Sequence, residues 1–386
     1  MAPGSDGKRS HLRHIRDANR IRVLGELLKS GGISRHDLSG RTGLTQASVS
    51  RITKELIDDG LCYEGAAYRA DNTLGRKRVE LHVNPDGGYI LGLCLSIASR
   101  MAVVTDMTGK RRGETRIPAR AMRSAAASLK HVQGWLDDLF ASGALDRDRL
   151  LGGGMVIAGS VDHETGRLTD APLLKWRDVP IRDLAAERFG CPVVVENIAD
   201  GLGLSYVDRC DPEAKGQMHM FLVHVAYGMG ASLIIDNSVV RRRGGDEGWI
   251  GQLPLPATAV DGLAPTLQDV SSGAAILEEL DGRFKAGSLP FDSGGIAERL
   301  EVSVDASNSG EPSVERSFSD AGTALGRVLM LITSAYLPDV IVLAGPVASA
   351  EAYSEAVRSA FAEAAAGLCY AGTSIVTNQT SYIEAA

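Results

Sequence analysis

Apolar residues Ile21, Leu24, Leu27 and Leu28 recur at helical spacing after Asp17, and the pattern stops at Ser30-Gly31-Gly32. Ser34 is placed to cap a short second helix, RHDLSGRT, that ends at Gly43. Thr45 is placed to cap a third, whose apolar stripe is Val49, Ile52 and Leu56 and which closes at Asp58-Asp59-Gly60. In the following LCYEGAAYRADNTLGRKRVELHVNP, residues Val79, Leu81 and Val83 alternate as a strand, with Gly75-Arg76-Lys77-Arg78 at the returning end of a hairpin. The pattern predicts helix, helix, glycine turn, helix and a two-stranded wing over residues 1–84. Asn84-Pro85-Asp86-Gly87-Gly88 then punctuates the chain and marks the expected boundary with residues 85–386.

Beyond that boundary one pattern occurs twice. GYILGLCLSIASRMAVVTDMTG and MHMFLVHVAYGMGASLIIDNS each read strand, small-residue loop, strand, aspartate and turn. Each continues into alternating helices and strands, so a duplicated α/β body is expected, with halves at about 85–210 and 211–386 and a ligand cleft between them. In CPVVVENIADGLG, residues 191–203, three valines read as a buried strand, with Asn197 at the end where α/β sheets place their chemistry. An isoleucine, Ile198, stands beside that asparagine.

Composition narrows the class. A chain of 386 residues, 44% hydrophobic, has room for two or three domains with a sizeable core. No stretch offers about 18 uninterrupted apolar residues, which predicts a cytoplasmic protein with no membrane partner. Cys62, Cys94, Cys191, Cys210 and Cys369 are scattered without a C-x-x-C pair, so neither a disulfide framework nor a cysteine zinc site is expected. Residues 1–88 hold 15 Lys and Arg against 11 Asp and Glu, a net of +4; the whole chain is −7, which leaves −11 for the remainder. A basic module on an acidic body predicts a polyanion partner for the module alone.

Double-stranded operator DNA is the expected polyanion. Thr45, Gln46, Ser48, Ser50, Arg51 and Lys54 supply the donors and acceptors that read base edges and phosphates from a recognition helix. Arg76, Lys77 and Arg78 in the wing suit phosphates or a minor groove. A single module covers too few base pairs, so a homodimer or higher homo-oligomer on a pseudo-palindrome is expected.

Taken in order, Gly75-Arg76-Lys77 with VELHVNPDGGYILG, GGGMVIAGSVDHETGRLTDAPLLKW, PVVVEN, YGMGASLIID and LPDVIVLAGPV resemble the ROK family of repressors, open reading frames and sugar kinases, over residues 15–350. The resemblance implies an N-terminal winged helix-turn-helix joined to an actin-like ATPase (ribonuclease H-like) body. Family members with the winged helix regulate transcription in response to xylose, N-acetylglucosamine or glucose; the kinases lack it. The same resemblance tests for catalysis. Cys94-Leu95-Ser96-Ile97-Ala98 stands in the first phosphate loop and has no carboxylate for magnesium. The second loop keeps Gly228 and Gly230 but has Tyr227 where a small hydroxyl residue is usual.

The family's general base falls on Ile198, and a hydrocarbon takes no proton from a sugar hydroxyl. The family's glutamate and histidine near GDEGWIGQLPL fall on Trp249 and Gln252, its later glutamate falls on Gln268, and the zinc cysteines have no counterpart in PATAVDGLAPTLQDVSSGAA. No catalytic residue, cofactor or metal is therefore expected. Asn197, Trp249, Gln252 and Gln268 stand as candidate contacts for an uncharged, sugar-like effector, or equally as ordinary residues of an empty cleft. Asp162 reads as a turn residue of VDHETG, and His163, His219 and His224 show no ligand spacing. Three functions remain: an effector-sensing transcription repressor, a sugar kinase carrying a DNA-binding domain, and a constitutive DNA binder whose body only oligomerises.

Overall fold

The computed structural model describes residues 5–68, 78–210, 218–241, 250–255, 265–283, 295–368 and 372–378. They fall into two compact units, one within Met1–Leu91, Val103–Glu114 and Asp137–Gly152, the other within Gly92–Ala102, Thr115–Leu136 and Gly153–Ala386.

The first unit opens with α1 (Ser5–Ser30), β1 (Ile33–Ser34), α2 (Arg35–Thr42), α3 (Gln46–Asp58), β2 (Cys62–Tyr68) and β3 (Arg78–Val83). The helix ends follow from local chemistry. The Ser34 hydroxyl accepts from the Asp37 amide at 3.2 Å, Gly43 ends α2 at φ 68°, and Thr45 Oγ1 accepts from the Ser48 amide at 3.3 Å to start α3. Val23, Leu27, Leu38, Val49, Ile52, Leu56 and Leu81 form one buried core. β1, β3 and β2 make a three-stranded sheet in that order, with a bulge between Glu64 and Ala67.

The expected stripe of α1 is corrected. The helix starts at Ser5, Ile21 is 71% exposed and Leu28 47% exposed, while Val23 and Leu27 are buried and Leu24 is half-buried. Val23 and Leu27 pack into the cluster with Leu38, Val49, Ile52 and Leu56, and two ion pairs between residues 39 apart lie along the same face. Arg16 pairs with Glu55 at 2.7 Å and Arg20 pairs with Asp59, and the sequence 16, 20, 23, 27 follows one helical face that turns toward α3.

The next segment supplies β4 (Tyr89–Leu95), β5 (Arg100–Asp106), β6 (Arg111–Arg116), α4 (Ala125–Ala141), β7 (Leu150–Ile157), β8 (Ser160–Asp162), β9 (Arg167–Ala171), β10 (Trp176–Val179), α5 (Ile181–Phe189), β11 (Val193–Asn197) and α6 (Ile198–Arg209). Then come β12 (Met220–Val225), β13 (Met229–Ile235), β14 (Ser238–Val239), α7 (Gln268–Ser271), α8 (Gly273–Arg283), α9 (Ile296–Asn308), α10 (Pro312–Tyr336), β15 (Val340–Ala344), α11 (Glu351–Ala365) and β16 (Ser374–Asn378).

Two five-stranded sheets have the orders β11-β7-β4-β5-β6 and β16-β15-β12-β13-β14. Numbering each set from its own first strand gives 5-4-1-2-3 both times, so the sequence repeat is a repeat of topology. In the second sheet β12 runs antiparallel to β13 and parallel to β15. A small sheet, β10-β9-β8, stands apart from these two.

The second unit has two apolar clusters. One joins Ile198, Leu202 and Val207 of α6 to Cys94, Val156, Met220, Leu222, Ile234 and Val342. The other surrounds Phe318, Leu325 and Tyr353, where α10 meets α11. Those two helices touch backbone to backbone, because a methyl group on Gly322 would lie 2.3 Å from the Tyr353 carbonyl and one on Gly326 2.4 Å from that of Val357.

Candidate nucleic-acid interface and ligand cavity

The turn between α2 and α3 presents an exposed polar face. Thr45, Gln46, Ser50, Arg51 and Lys54 are exposed and Ser48 is half-buried. Some of these groups already have local partners. Thr45 Oγ1 lies 3.0 Å from Ser48 Oγ, and Gln46 Nε2 lies 3.1 Å from His36 Nδ1 on α2. Among the described residues Ser50, Arg51 and Lys54 have no side-chain hydrogen bond or ion pair to tie them.

Arg35 holds the scaffold beneath, donating to Thr53 Oγ1 at 3.0 Å and pairing with Glu64 at 2.8 Å. Arg78 pairs with Asp37 at 3.0 Å, which ties the first residue of β3 to α2 and leaves its guanidinium half-engaged. Arg76 and Lys77, expected in the wing, lie outside the described residues. His36 gave no signal in the sequence, because its partner is ten residues on, across a turn.

The second unit contains a cavity of about 160 Å³. Its wall is made where strands end: Ser96, Ile97 and Ala98 follow β4, Ala158 and Gly159 follow β7, and Asn197 and Ile198 join β11 to α6. The β12–β13 loop adds Ala226, Tyr227 and Gly228, and Met229 and Gly230 follow it on β13; His224, Pro172, Leu173, Gly251, Gln252 and Gln268 complete the lining. Three of the four candidate ligand residues thus come together: Asn197, Gln252 and Gln268. Trp249 lies outside the described residues.

Asn197 has work of its own. Its Nδ2 donates to the Gly159 carbonyl at 2.7 Å, and its Oδ1 accepts from the Ala199 amide at 2.7 Å, capping α6. Ser96 Oγ is similarly engaged with the Ser99 amide at 2.7 Å and carbonyl at 3.0 Å. Ile198 is the first residue of α6, 2% exposed, and contributes hydrocarbon to both the cavity wall and the apolar cluster. Burial lowers the His224 imidazole to about 4, so it is neutral in ordinary buffers. Cys94, beneath the loop, is pushed up to about 12 by burial and stays a thiol. No charged side chain is among the described lining residues.

The carboxylates near this strand end belong to a separate cluster. Glu196 Oε1 accepts from Arg241 at 2.8 Å and lies 2.8 Å from His163 Nδ1. Asp200, on α6, is buried, which pushes its carboxyl up to about 6; the nearby Glu196 charge adds to the rise and Arg241 opposes it. Neither carboxylate lines the cavity. Asp162 accepts from the Glu164 and Thr165 amides, as a turn residue does. Among the described residues no three His, Cys, Asp or Glu side chains are grouped to hold a metal ion. Nor does any described helix have the length and apolarity to cross a membrane. The hydrocarbon lining from Ile97, Leu173 and Met229 was not foreseen, and its one sequence signal was Ile198.

Comparison with known proteins agrees with this architecture. Residues 16–61 match the winged helix-turn-helix DNA-binding family, and residues 101–381 match the ROK family. The xylose repressor of Caldicellulosiruptor bescii is 27% identical over 241 residues, 62% of this chain and 59% of the repressor, so the aligned part spans under two thirds of that relative. A crystal structure of a ROK family transcriptional regulator, a homologue of the E. coli MLC protein, superposes with a TM-score of 0.76 at 22% identity, covering 96% of this chain and 94% of the other. The ROK family glucokinase of Streptomyces griseus, in complex with glucose and AMPPNP, gives 0.62 at 22% identity over 77% of this chain and 96% of its own. A winged helix-turn-helix, a doubled five-stranded body and a match over residues 101–381 place this chain in the ROK family.

Proposed function

We propose that this protein is a DNA-binding transcription repressor of carbohydrate-related genes, acting in the cytoplasm as a homodimer or higher homo-oligomer. Residues 1–84 form the DNA-binding part and residues 85–386 the sensing and assembly part. The observation that carries the reading is the face of α3, where Ser50, Arg51 and Lys54 are exposed and untied among the described residues, on a helix fixed by caps and by Arg35. A side chain that is free and held over a rigid base is what base and phosphate recognition require. Arg51 and Ser50 read bases, while Lys54 and the wing residues Arg76, Lys77 and Arg78 contribute salt-dependent affinity. The cavity takes an uncharged, sugar-like effector that weakens DNA binding, with Gln252 and Gln268 as its polar contacts and Trp249 three residues before Gln252 in sequence.

The test is fluorescence anisotropy with DNA from upstream of the gene. Arg51→Ala should cost about 1–3 kcal/mol on the preferred site and little on random DNA. Equal losses on both, or no sequence preference in the parent, would sink the reading. A kinase reading is disfavoured by one observation. Ile198 occupies the position beside Asn197, and both nearby carboxylates, Glu196 and Asp200, lie outside the cavity lining. An ADP-release assay with glucose, xylose or N-acetylglucosamine should stay at background.

A further inference from the structure

The chemistry of the cavity departs from that of a site for a fully hydroxylated sugar. Its polar side chains, among the described residues, are Ser96, Asn197, His224, Tyr227, Gln252 and Gln268. Ser96 and Asn197 already hold backbone partners at 2.7–3.0 Å on their oxygens and nitrogen. Tyr227 packs its ring against the apolar cluster of α10 and α11, and His224 is 8% exposed. Gln252 and Gln268, whose side-chain amides have no hydrogen-bond partner among the described residues, therefore carry most of the hydrogen bonding that the described lining side chains offer.

Facing them is hydrocarbon from Ile97, Leu173, Ile198 and Met229. The volume, about 160 Å³, is close to that of the ~150 Å³ cavity that accommodates one benzene ring. A ring bearing four or five hydroxyl groups would bury several of them against methyl groups, unpaired. A phosphate or carboxylate would meet no cation among the described lining residues.

We infer that the cavity selects an uncharged, single-ring ligand with one hydrocarbon face and two or three polar groups on the edge toward Gln252 and Gln268, as in a deoxygenated or alkylated sugar, and rejects fully hydroxylated and phosphorylated sugars. This rests on the reading of the cavity as the effector site. Gln268 is the polar anchor, and it is well placed for that: its Oε1 lies 3.2 Å from where a methyl group on Gly251 would stand and 3.5 Å from one on Gly228, so both glycines keep the space in front of the amide open.

Isothermal titration calorimetry on the full chain tests this with trans-cyclohexane-1,2-diol, methyl α-L-fucopyranoside, D-xylose, D-glucose and D-glucose 6-phosphate. The diol and the methyl 6-deoxy sugar should bind, each further unpaired hydroxyl should weaken binding about tenfold, and the phosphate should not bind. Gln268→Leu should weaken the diol about tenfold. Gly228→Ile, whose side chain would stand against Leu173 and Gln268, should abolish all binding while retaining sequence-specific DNA binding as evidence of folding. Glucose, xylose or the phosphate binding at least as well as the diol, with that binding lost in Gly228→Ile, overturns the ligand class but leaves the cavity as the effector site. Binding unaffected by Gly228→Ile, or no probe binding up to its solubility, overturns the inference and the effector-site reading together.

Discussion

Asn197→Ala removes two contacts at once, and the structure sets the size of the loss. The side chain caps α6 through Oδ1 and ties the Gly159 carbonyl, 38 residues earlier, through Nδ2, each at 2.7 Å. Losing an asparagine cap costs about 1 kcal/mol, and leaving a part-buried carbonyl without its donor adds about 1–2 kcal/mol. A short side chain leaves little empty volume, so no large cavity penalty is added. The expected loss is about 2–3 kcal/mol, and for a folding unit of more than about 200 residues that lowers the melting temperature by about 4–12 °C. Asn197→Asp separates the two contacts. It keeps an acceptor at the helix start but has no N–H for Gly159 and sets an oxygen against that carbonyl, so it should recover less than about 1 kcal/mol of the loss. Calorimetric melts of parent and both variants make the measurement. If the alanine variant melts with the parent yet no longer responds to effector, Asn197 is a ligand contact and the stapling argument is wrong.

Three further outcomes are expected. Asp200 has its folded-state pKa raised to about 6 from 3.8, so it binds its proton more tightly when folded; that contribution is complete below pH 3.8 and is lost as pH rises through 6. Relative to parent, Asp200→Asn should therefore gain about 2 kcal/mol between pH 4 and pH 7 in urea melts, the His224 contribution cancelling in the difference, and a flat difference curve would contradict the burial argument. Two glycine substitutions should have opposite signs. Gly326→Ala pushes a methyl against the Val357 carbonyl and should cost about 1–3 kcal/mol, whereas Gly134→Ala in α4 meets nothing within 4 Å and should add about 0.5–1 kcal/mol. Finally, His36→Leu releases the Gln46 amide and should broaden base preference at one position of a selected DNA site with the salt dependence unchanged; an unaltered selection profile would remove His36 from the interface.

What the sequence revealed was local, and what it hid was not. Ser34, Gly43 and Thr45 announce the ends of α2 and α3 because a cap acts within three residues. The doubled strand-loop-strand pattern gave the repeat, since small residues mark the loop and valines and leucines mark the strands. The buried face of α1 was misjudged because its partners, Val49, Ile52 and Leu56 of α3 with Glu55 and the capping Asp59, are distant in sequence. Asn197 looked free for the same reason, since the Gly159 carbonyl that holds it arrives through the sheet. Ile198 could be read directly, because hydrocarbon beside a strand-end amide is unusual in either setting. Its companions Ile97, Leu173 and Met229 come from three separate segments and converge only in the folded chain.

The join between α7 and α11 has a mechanical meaning. Tyr353 is fully buried, and its hydroxyl lies 3.0 Å from the Ser271 carbonyl and 2.8 Å from the Ser271 hydroxyl, which itself donates to the Ala321 carbonyl of α10 at 2.7 Å. Ser271 is one helical turn from Gln268. A ligand that tugged on that amide would pull on a short helix tied to two others, which approach each other closely at Gly322 and Gly326. Breaking those ties means stranding buried polar groups at about 1–3 kcal/mol each. If a ligand displaced Gln268, these ties would pass the displacement to the 25-residue helix α10 rather than leave it at the site.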